Sequence, residues 1–556
     1  MDEARKVIIV GGVAGGMSAA TRLRRLDETA EIIVFERGPD VSFANCGLPY
    51  YVGGVIADRD SLLLQTPESL ASRFRLDVRT RHDVIAIDAA RHTVVVHDLV
   101  AGSSSEFAYD QLILAGGATM ARDFEHSSIP TFTMRSVDDV DHITATLAHL
   151  EGEASAVVIG GGFIGVEAVE NLARRGIRVT LAQRGSHVLS PLDPELAVLV
   201  HERLVAEGID VRLGTTVDGS HHEFVDLSDG TEVRADLIID ASGVHPDSGL
   251  ARAAGLRIGS SGGIWVDATQ RTSDPAIYAV GDGTEKTDAV DGSGVLVTMA
   301  GLANRHGRAA ADAIAGIPYD APPALGTAIV GLFGLTIAMV GWSEKRLVAA
   351  GRAHRIIHTH PGSHASYYPG AETMHIKLLV DPSTDAILGA QIIGGEGVDK
   401  RIDVLATAMS AGITASGLSR LELAYAPQYA SAKDPINQLG YVADNLATGA
   451  MASIQWHELE DARAAGAVLV DVRGRAEHAA GSIPNSTNIP LDELRDRAWE
   501  LADAPIVVHC QVGQRGHTAA RILAQLGRSV ENLDGGYLTW HAGIASRSTI
   551  RQAVTR

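Results

Sequence analysis

Cysteine is nearly missing from this chain: Cys46 and Cys510 are the two in 556 residues. Two thiols cannot build a disulfide framework, so a cross-linked secreted scaffold is excluded and a reducing cytoplasm is the expected compartment. Aromatic residues are sparse at 4%, while glycine is abundant at 59, the texture of α/β folds with many tight strand-to-helix turns and not of helical bundles. Positive charge is in deficit. With 47 basic against 68 acidic side chains the net charge is -21, which argues against a nucleic-acid partner or an anionic membrane surface. Any anionic ligand must therefore meet local positive charge. Long apolar runs are missing too. The Gly-rich uncharged stretch GTAIVGLFGLTIAMVGW at 326–342 falls short of a membrane span and is read as buried strands. The opening MDEARKVIIVGG is acidic and enters an apolar strand at once, unlike a signal peptide.

What is present is a repeated unit. KVIIVGGVAGGMSAATRLRRL reads strand, glycine turn, helix, with EIIVFE as the next strand, and ASAVVIGGGFIGVEAVENLARRG followed by IRVTLAQRG repeats the order about 150 residues later. Two such units predict two doubly wound domains, each shaped for a nucleotide. Segments 75–117 and 209–241 alternate in short β-like runs. Beyond 325, strands such as MHIKLLVD and AILGAQIIGG and the helical DKRIDVLATAMSAG predict an α+β domain. A linker is expected at 443–460. After it come a strand AVLVDVR, a helix LDELRDRAWEL, a strand PIVVHC and a helix HTAARILAQLG, which predict a small separate α/β module. A chain this long carries three or four domains.

A glycine turn opening a helix aims backbone N–H groups at a pyrophosphate, and an acidic residue ending the next strand holds ribose hydroxyls. The first turn offers Gly11, Gly12, Val13, Ala14, Gly15 and Gly16, with Glu36 and Arg37 at the strand end; Val13 stands where the middle glycine of GxGxxG is expected. The second offers Gly160, Gly162, Phe163, Ile164, Gly165 and Glu167. Its strand ends in Gln183 and Arg184 instead of a carboxylate, so NADH and NADPH both stay open. No metal site is predicted.

With TSDPAIYAVGD at 272–282, this order of motifs resembles the FAD-dependent pyridine nucleotide-disulfide reductases over residues 1 to about 320, and 325–447 resembles their dimerisation domain. The resemblance implies FAD and NAD(P)H on one subunit, Asp282 on the flavin's ribityl chain, and a homodimer. It implies an FAD domain at 1–118 and 246–322, an NAD(P)H domain at 119–245 and a dimerisation domain at 323–447. Members of that family usually carry CxxxxC beside the flavin. Here the fifth residue after Cys46 is Tyr51. A single thiolate still cycles when its partner sulfur comes with the substrate. Gly47 and Pro49 in SFANCGLPYY mark a turn or helix start, which predicts an accessible, dipole-assisted thiol flanked by the polar Ser42 and Asn45.

That stretch resembles the coenzyme A-disulfide reductases. Ser18, Arg22 and Arg25 are spaced to share one face of the first helix, and the resemblance implies that this face meets coenzyme A. It further implies that Tyr367 in HASYYPG and Tyr425 in YAPQYASAKDP reach the thiol from the partner subunit, and that Asn304 and Lys433 touch substrate. A sister group that reduces oxygen or peroxide through a sulfenic acid carries a histidine in the first glycine turn. GGVAGGMS has none. In the last module, VVHCQVGQRGHTAARIL with LVDVR upstream resembles a rhodanese sulfurtransferase domain at 455–550. Its six-residue loop from Cys510 to Arg515 suits sulfane sulfur, with Gln511 where many rhodaneses have arginine. The expectation is an NAD(P)H-dependent reductase of coenzyme A disulfide, or of coenzyme A persulfide and polysulfide, acting through Cys46. The alternatives are an NADH oxidase or peroxidase, and a non-catalytic redox sensor or sulfur carrier.

Overall fold

The computed structural model describes residues 4–120, 127–150 and 152–555. The opening residues 1–3 of the acidic stretch noted above lie outside it. The chain divides into two compact units, Met1–Ala182 with Thr216–Gly326, and Gln183–Thr215 with Thr327–Arg556.

In the first unit, Lys6–Val10 lies between Gln111–Leu114 and Glu31–Glu36, with Ile277–Ala279 and Asp77–Thr80 outermost, all parallel. The strands read as near-continuous Val, Ile and Leu because helices or a second sheet cover both faces. One face packs Val7, Ile9 and Val34 against Met17, Ala20 and Leu23 of the helix Ala14–Leu26. The other packs Ile8, Ile33 and Phe35 against the antiparallel strands Thr93–Asp98 and His82–Asp88. A second parallel set runs Arg178–Gln183, Ser155–Ile159, Leu237–Asp240, Thr131–Phe132. Both glycine turns thus leave the carboxyl end of a central strand, where doubly wound sheets bind nucleotides.

The second unit holds an antiparallel five-stranded sheet in the order Ala328–Leu332, Leu335–Gly341, Ile387–Gly394, His375–Val380, Arg355–Thr359. The uncharged run 326–342 is its first hairpin, and among the described residues no helix is long and apolar enough to cross a membrane. A parallel sheet follows, in the order Ser453–Ile454, Val530–Leu533, Ile506–His509, Val468–Asp471, Thr487–Asn488.

Two expectations need correction. The linker is far shorter than 443–460: the helix Pro435–Ala447 fills its start, and Ser453–Ile454 already pairs with Val530–Leu533. LDELRDRAWEL is not one helix but three short turns, Leu491–Glu493, Leu494–Arg497 and Ala498–Glu500. A long helix that the sequence analysis did not single out, Gly536–Thr555, closes the module.

A charge cluster invisible in the sequence is buried in this unit. Lys377 Nζ lies 3.0 Å from Asp193 Oδ2 and also bonds Glu195 and Glu344. His358 donates from Nδ1 to Asp534 at 2.8 Å and from Nε2 to Glu195 at 3.2 Å. Burial alone pulls His358 down, and the bonds to Asp534 and Glu195 outweigh it, holding the ring up to about 9 and so charged at neutral pH.

Candidate active site

The first glycine turn is shaped by close approach. Gly11 has φ +102°, and a Cβ there would meet Ala115 O at 2.4 Å; at Gly16 it would meet Gly11 O at 1.9 Å. Both positions therefore require glycine. Glu36 holds the turn from the neighbouring strand, accepting the N–H of Gly12 and of Gly38 at 2.7 Å each. Val13 caps the helix in place of the missing glycine, with Ala14 as its first residue. Arg37 is exposed beyond the strand. Asp282 lies in the short turn Gly281–Gly283 after the strand Ile277–Ala279. Burial pushes its carboxyl up, against the pull of Lys286 and Arg135. Helix N–H groups, a backbone cradle closed to side chains and a half-buried carboxylate fit the pyrophosphate and ribityl hydroxyls of FAD.

Cys46 sits one short step from that turn. Ser42, at the unusual φ of 49°, donates its N–H to Gly12 O at 2.8 Å. The chain then makes a single turn, Asn45–Gly47, and enters the helix Leu48–Val52, anchored by buried Leu48, Pro49 and Val52. Cys46 is exposed, with Sγ 3.8 Å from Asn45 Oδ1. The expected dipole assistance is corrected: burial, then the charges of Glu167 and Asp282, push the thiol up. A five-residue helix aligns too few peptide dipoles to outweigh two carboxylates. Tyr50, which the sequence did not single out, donates to Glu167 Oε1 at 3.1 Å, and burial with that same carboxylate pushes its phenol up to about 12. Lys286 was also missed. Its Nζ donates to the carbonyls of Gly281 and Thr284, and burial lowers it to about 8 against the pull of Asp282.

The second turn follows the same logic more closely. Gly160, at φ +96°, and Gly165 are fixed by contacts of an added Cβ at 2.4 Å with Ala241 O and 1.8 Å with Gly160 O, whereas Gly162 has nothing within 4 Å. The middle glycine thus opens onto space for a pyrophosphate, a fit to NAD(P)H. Phe163 and Ile164 begin the helix Phe163–Arg174, and Glu167 lies on it. At the end of Arg178–Gln183, Gln183 donates to His187 O at 3.2 Å, and Arg184 is exposed.

The structure brings two residues of the proposed substrate face together: Ser18 donates to Asn304 Oδ1 at 2.6 Å. Arg22 is engaged by Asp312 at 2.6 Å, and Arg25 is exposed. In the second unit, the hydroxyls of Tyr367 and Tyr425 lie 2.6 Å apart although 58 residues separate them, and both rings are exposed. Lys433 is exposed on the segment leading into Pro435–Ala447.

Cys510 ends the strand Ile506–His509 and is fully buried. Its carbonyl accepts the N–H of Tyr537 at 2.8 Å, and Gln511 O accepts that of Leu538 at 3.1 Å, so the start of the last helix clamps the loop. Gly513, at φ +90°, lets the following helix begin at Gln514. Arg515 therefore lies inside its first turn, one correction to the expected placement before it. The guanidinium donates to both carboxylate oxygens of Glu477, at 2.8 and 2.7 Å, and Glu477 and Cys510 hold it charged.

Comparison with known proteins accords with this geometry. Residues 5–303 match the family described as pyridine nucleotide-disulphide oxidoreductase, 327–435 match its dimerisation domain, and 455–543 match a rhodanese-like domain. A coenzyme A disulfide reductase of Staphylococcus aureus (strain JH9) is 37% identical over 440 residues, covering 79% of this chain and 99% of that one. Among solved structures, the reduced CoADR-RHD of Bacillus anthracis shares 44% identity with TM-score 0.94, covering 98% of this chain and 99% of that one. The NAD-dependent persulfide reductase from A. fulgidus shares 37% identity with TM-score 0.89, covering 96% and 100%. The chain belongs to the pyridine nucleotide-disulphide oxidoreductase family, whose members use FAD and NAD(P)H, and it carries a rhodanese-like domain at its C-terminal side.

Proposed function

We propose that this protein is a flavin-dependent reductase that takes electrons from NAD(P)H and reduces coenzyme A disulfide, or coenzyme A persulfide and polysulfide, at the single thiol of Cys46. The observation that carries the reading is a reachable cysteine, one hydrogen bond removed from a nucleotide cradle, with Tyr51 where a resolving cysteine is expected. When bound, FAD supplies two-electron chemistry between the nicotinamide and sulfur.

The chain's own residues do the rest. Cys46 Sγ attacks one sulfur of the disulfide, forming Cys46–S–S–CoA and expelling one coenzyme A thiolate; two electrons then cleave that bond and free the second. With a persulfide, attack on the inner sulfur expels hydrosulfide and leaves the same mixed disulfide. Glu167 and Asp282 keep the resting thiol protonated until substrate arrives. Ser18, Asn45 and Asn304 bind and orient the coenzyme, with Arg22 and Arg25 towards its phosphates. Tyr367 and Tyr425, supplied with Lys433 by the partner subunit of a homodimer, give a proton to the departing thiolate. Cys510, with Arg515 in its loop, passes sulfane sulfur to or from the thiol carrier. The dimerisation-domain match supports the homodimer, and two unpaired cysteines support a cytoplasmic setting.

The names of the relatives support this reading, and neither alternative is favoured. The test is anaerobic oxidation of NADH and NADPH with coenzyme A disulfide, coenzyme A persulfide, polysulfide or peroxide as sole acceptor. Turnover with the coenzyme A species supports the proposal. Turnover with peroxide alone makes the protein a peroxidase, and slow turnover with every acceptor makes it a sensor or carrier.

A further inference from the structure

The charged side chains gathered at the Cys510 loop come in matched pairs. Arg473 donates to Asp471 from Nη2 at 2.8 Å and reaches Gln511 Oε1 from Nη1 at 3.0 Å, so it steadies the loop while its charge is spent on the aspartate. Arg515 is the one charged residue between 510 and 515, and Glu477 holds it through both carboxylate oxygens. His478 Nδ1 lies 2.9 Å from the same Asp471. His509 is buried, and that burial brings it down to about 4, so it is neutral at physiological pH. Two guanidinium groups thus face two carboxylates, and Gln511, Val512 and Gln514 add no charge.

We propose that Glu477 is a specificity-determining residue of this site: by cancelling Arg515 it turns Cys510 away from the dianion thiosulfate and towards a persulfide carried on an organic thiol. The inference rests on the reading of Cys510 as the sulfur-transferring thiol. Loading from thiosulfate brings a dianion against a thiolate. Cys510 Sγ bonds the outer sulfur, the S–S bond breaks and sulfite leaves with the electron pair, so three negative charges are concentrated in a fully buried place. Loading from a carrier persulfide, R–S–SH, forms the bond from Cys510 Sγ to the outer sulfur and breaks the carrier's S–S bond. R–S⁻ leaves, the proton stays on the transferred sulfur, and the charge never exceeds one. A site without surplus positive charge penalises the first route far more than the second.

The test uses the full chain carrying Cys46→Ser, so that Cys510 is the one thiol, and follows its gain of sulfur by intact mass after mixing with thiosulfate or with coenzyme A persulfide. The parent is expected to load from the persulfide at least about tenfold faster than from thiosulfate. Glu477→Gln, which releases Arg515, and Val512→Lys, which adds a cation and leaves the Glu477–Arg515 pair intact, are each expected to raise loading from thiosulfate about tenfold and loading from the persulfide much less. The gain in Val512→Lys must fade with added salt. Should Glu477→Gln fail to fold, Val512→Lys decides alone. Equal loading of the parent by both donors, or no rise with thiosulfate in a folded variant, overturns the proposal while leaving Cys510 a sulfur carrier. No loading by either donor, as in a Cys510→Ser control, overturns the sulfur-transfer reading and the proposal together.

Discussion

Tyr50 donates a hydrogen bond over 3.1 Å to Glu167, which joins the helix just after Cys46 to the helix that opens at the second glycine turn. The carboxylate pushes up both the phenol of Tyr50 and the thiol of Cys46, after burial in each case. Glu167→Gln keeps the shape and removes the charge. The rate of Cys46 alkylation by iodoacetamide is expected to rise at neutral pH, with its pH midpoint shifted down. An unchanged or higher midpoint contradicts the electrostatic account of this thiol.

The hydroxyls of Tyr367 and Tyr425 lie 2.6 Å apart, and the bond between them pushes Tyr425 up, so under the proposed mechanism Tyr425 holds the proton that it gives to the departing thiolate. Tyr425→Phe is expected to slow turnover of coenzyme A disulfide about 10²-fold, a typical loss for a general acid, with mixed disulfide accumulating on Cys46. Intact mass under turnover checks this. Full turnover without the adduct removes Tyr425 from the mechanism.

Arg184 follows the strand Arg178–Gln183, at whose end a carboxylate is expected. Arg184→Ala is expected to raise KM for NADPH roughly tenfold, equivalent to about 1.4 kcal/mol, and to leave KM for NADH nearly unchanged. Equal changes in both constants mean that Arg184 does not meet a 2′-phosphate.

His358 and Asp534 form a buried pair, each side chain at most 4% exposed. His358 is held up at about 9, above its ordinary value of 6.5. Its contribution to stability is therefore complete below about pH 6.5 and lost as pH rises through about 9. Thermal melts are expected to show that loss, and His358→Leu, which takes the charged partner from buried Asp534, is expected to cost about 3–5 kcal/mol. A pH-independent melting temperature in the same window refutes the charged pair.

Much of this was legible in the sequence because it is local. Glycine turns, the lone Cys46 before Gly47 and Pro49, and the Cys510 to Arg515 loop are short patterns whose backbone geometry follows from residue type. The misses have two sources. Lys377, Glu195, His358 and Asp534 are scattered over some 340 positions and meet only through tertiary packing, so no window of sequence displays them. The Cys46 expectation failed for another reason: the helix start was visible, while burial of the thiol in the fold, and then Glu167 and Asp282, more than a hundred residues away, push the thiol up. The linker was overdrawn because a two-residue strand, Ser453–Ile454, carries no periodic signal.

In the proposed mechanism, reduction runs through one sulfur of this chain and one of the substrate. Its most direct test is the steady-state rate of anaerobic NADH oxidation by Cys46→Ser with coenzyme A disulfide, measured on protein that retains its flavin. Turnover is expected to fall to background, and the variant is expected to acquire no coenzyme A adduct. A variant that still reduces coenzyme A disulfide at the wild-type rate contradicts that mechanism.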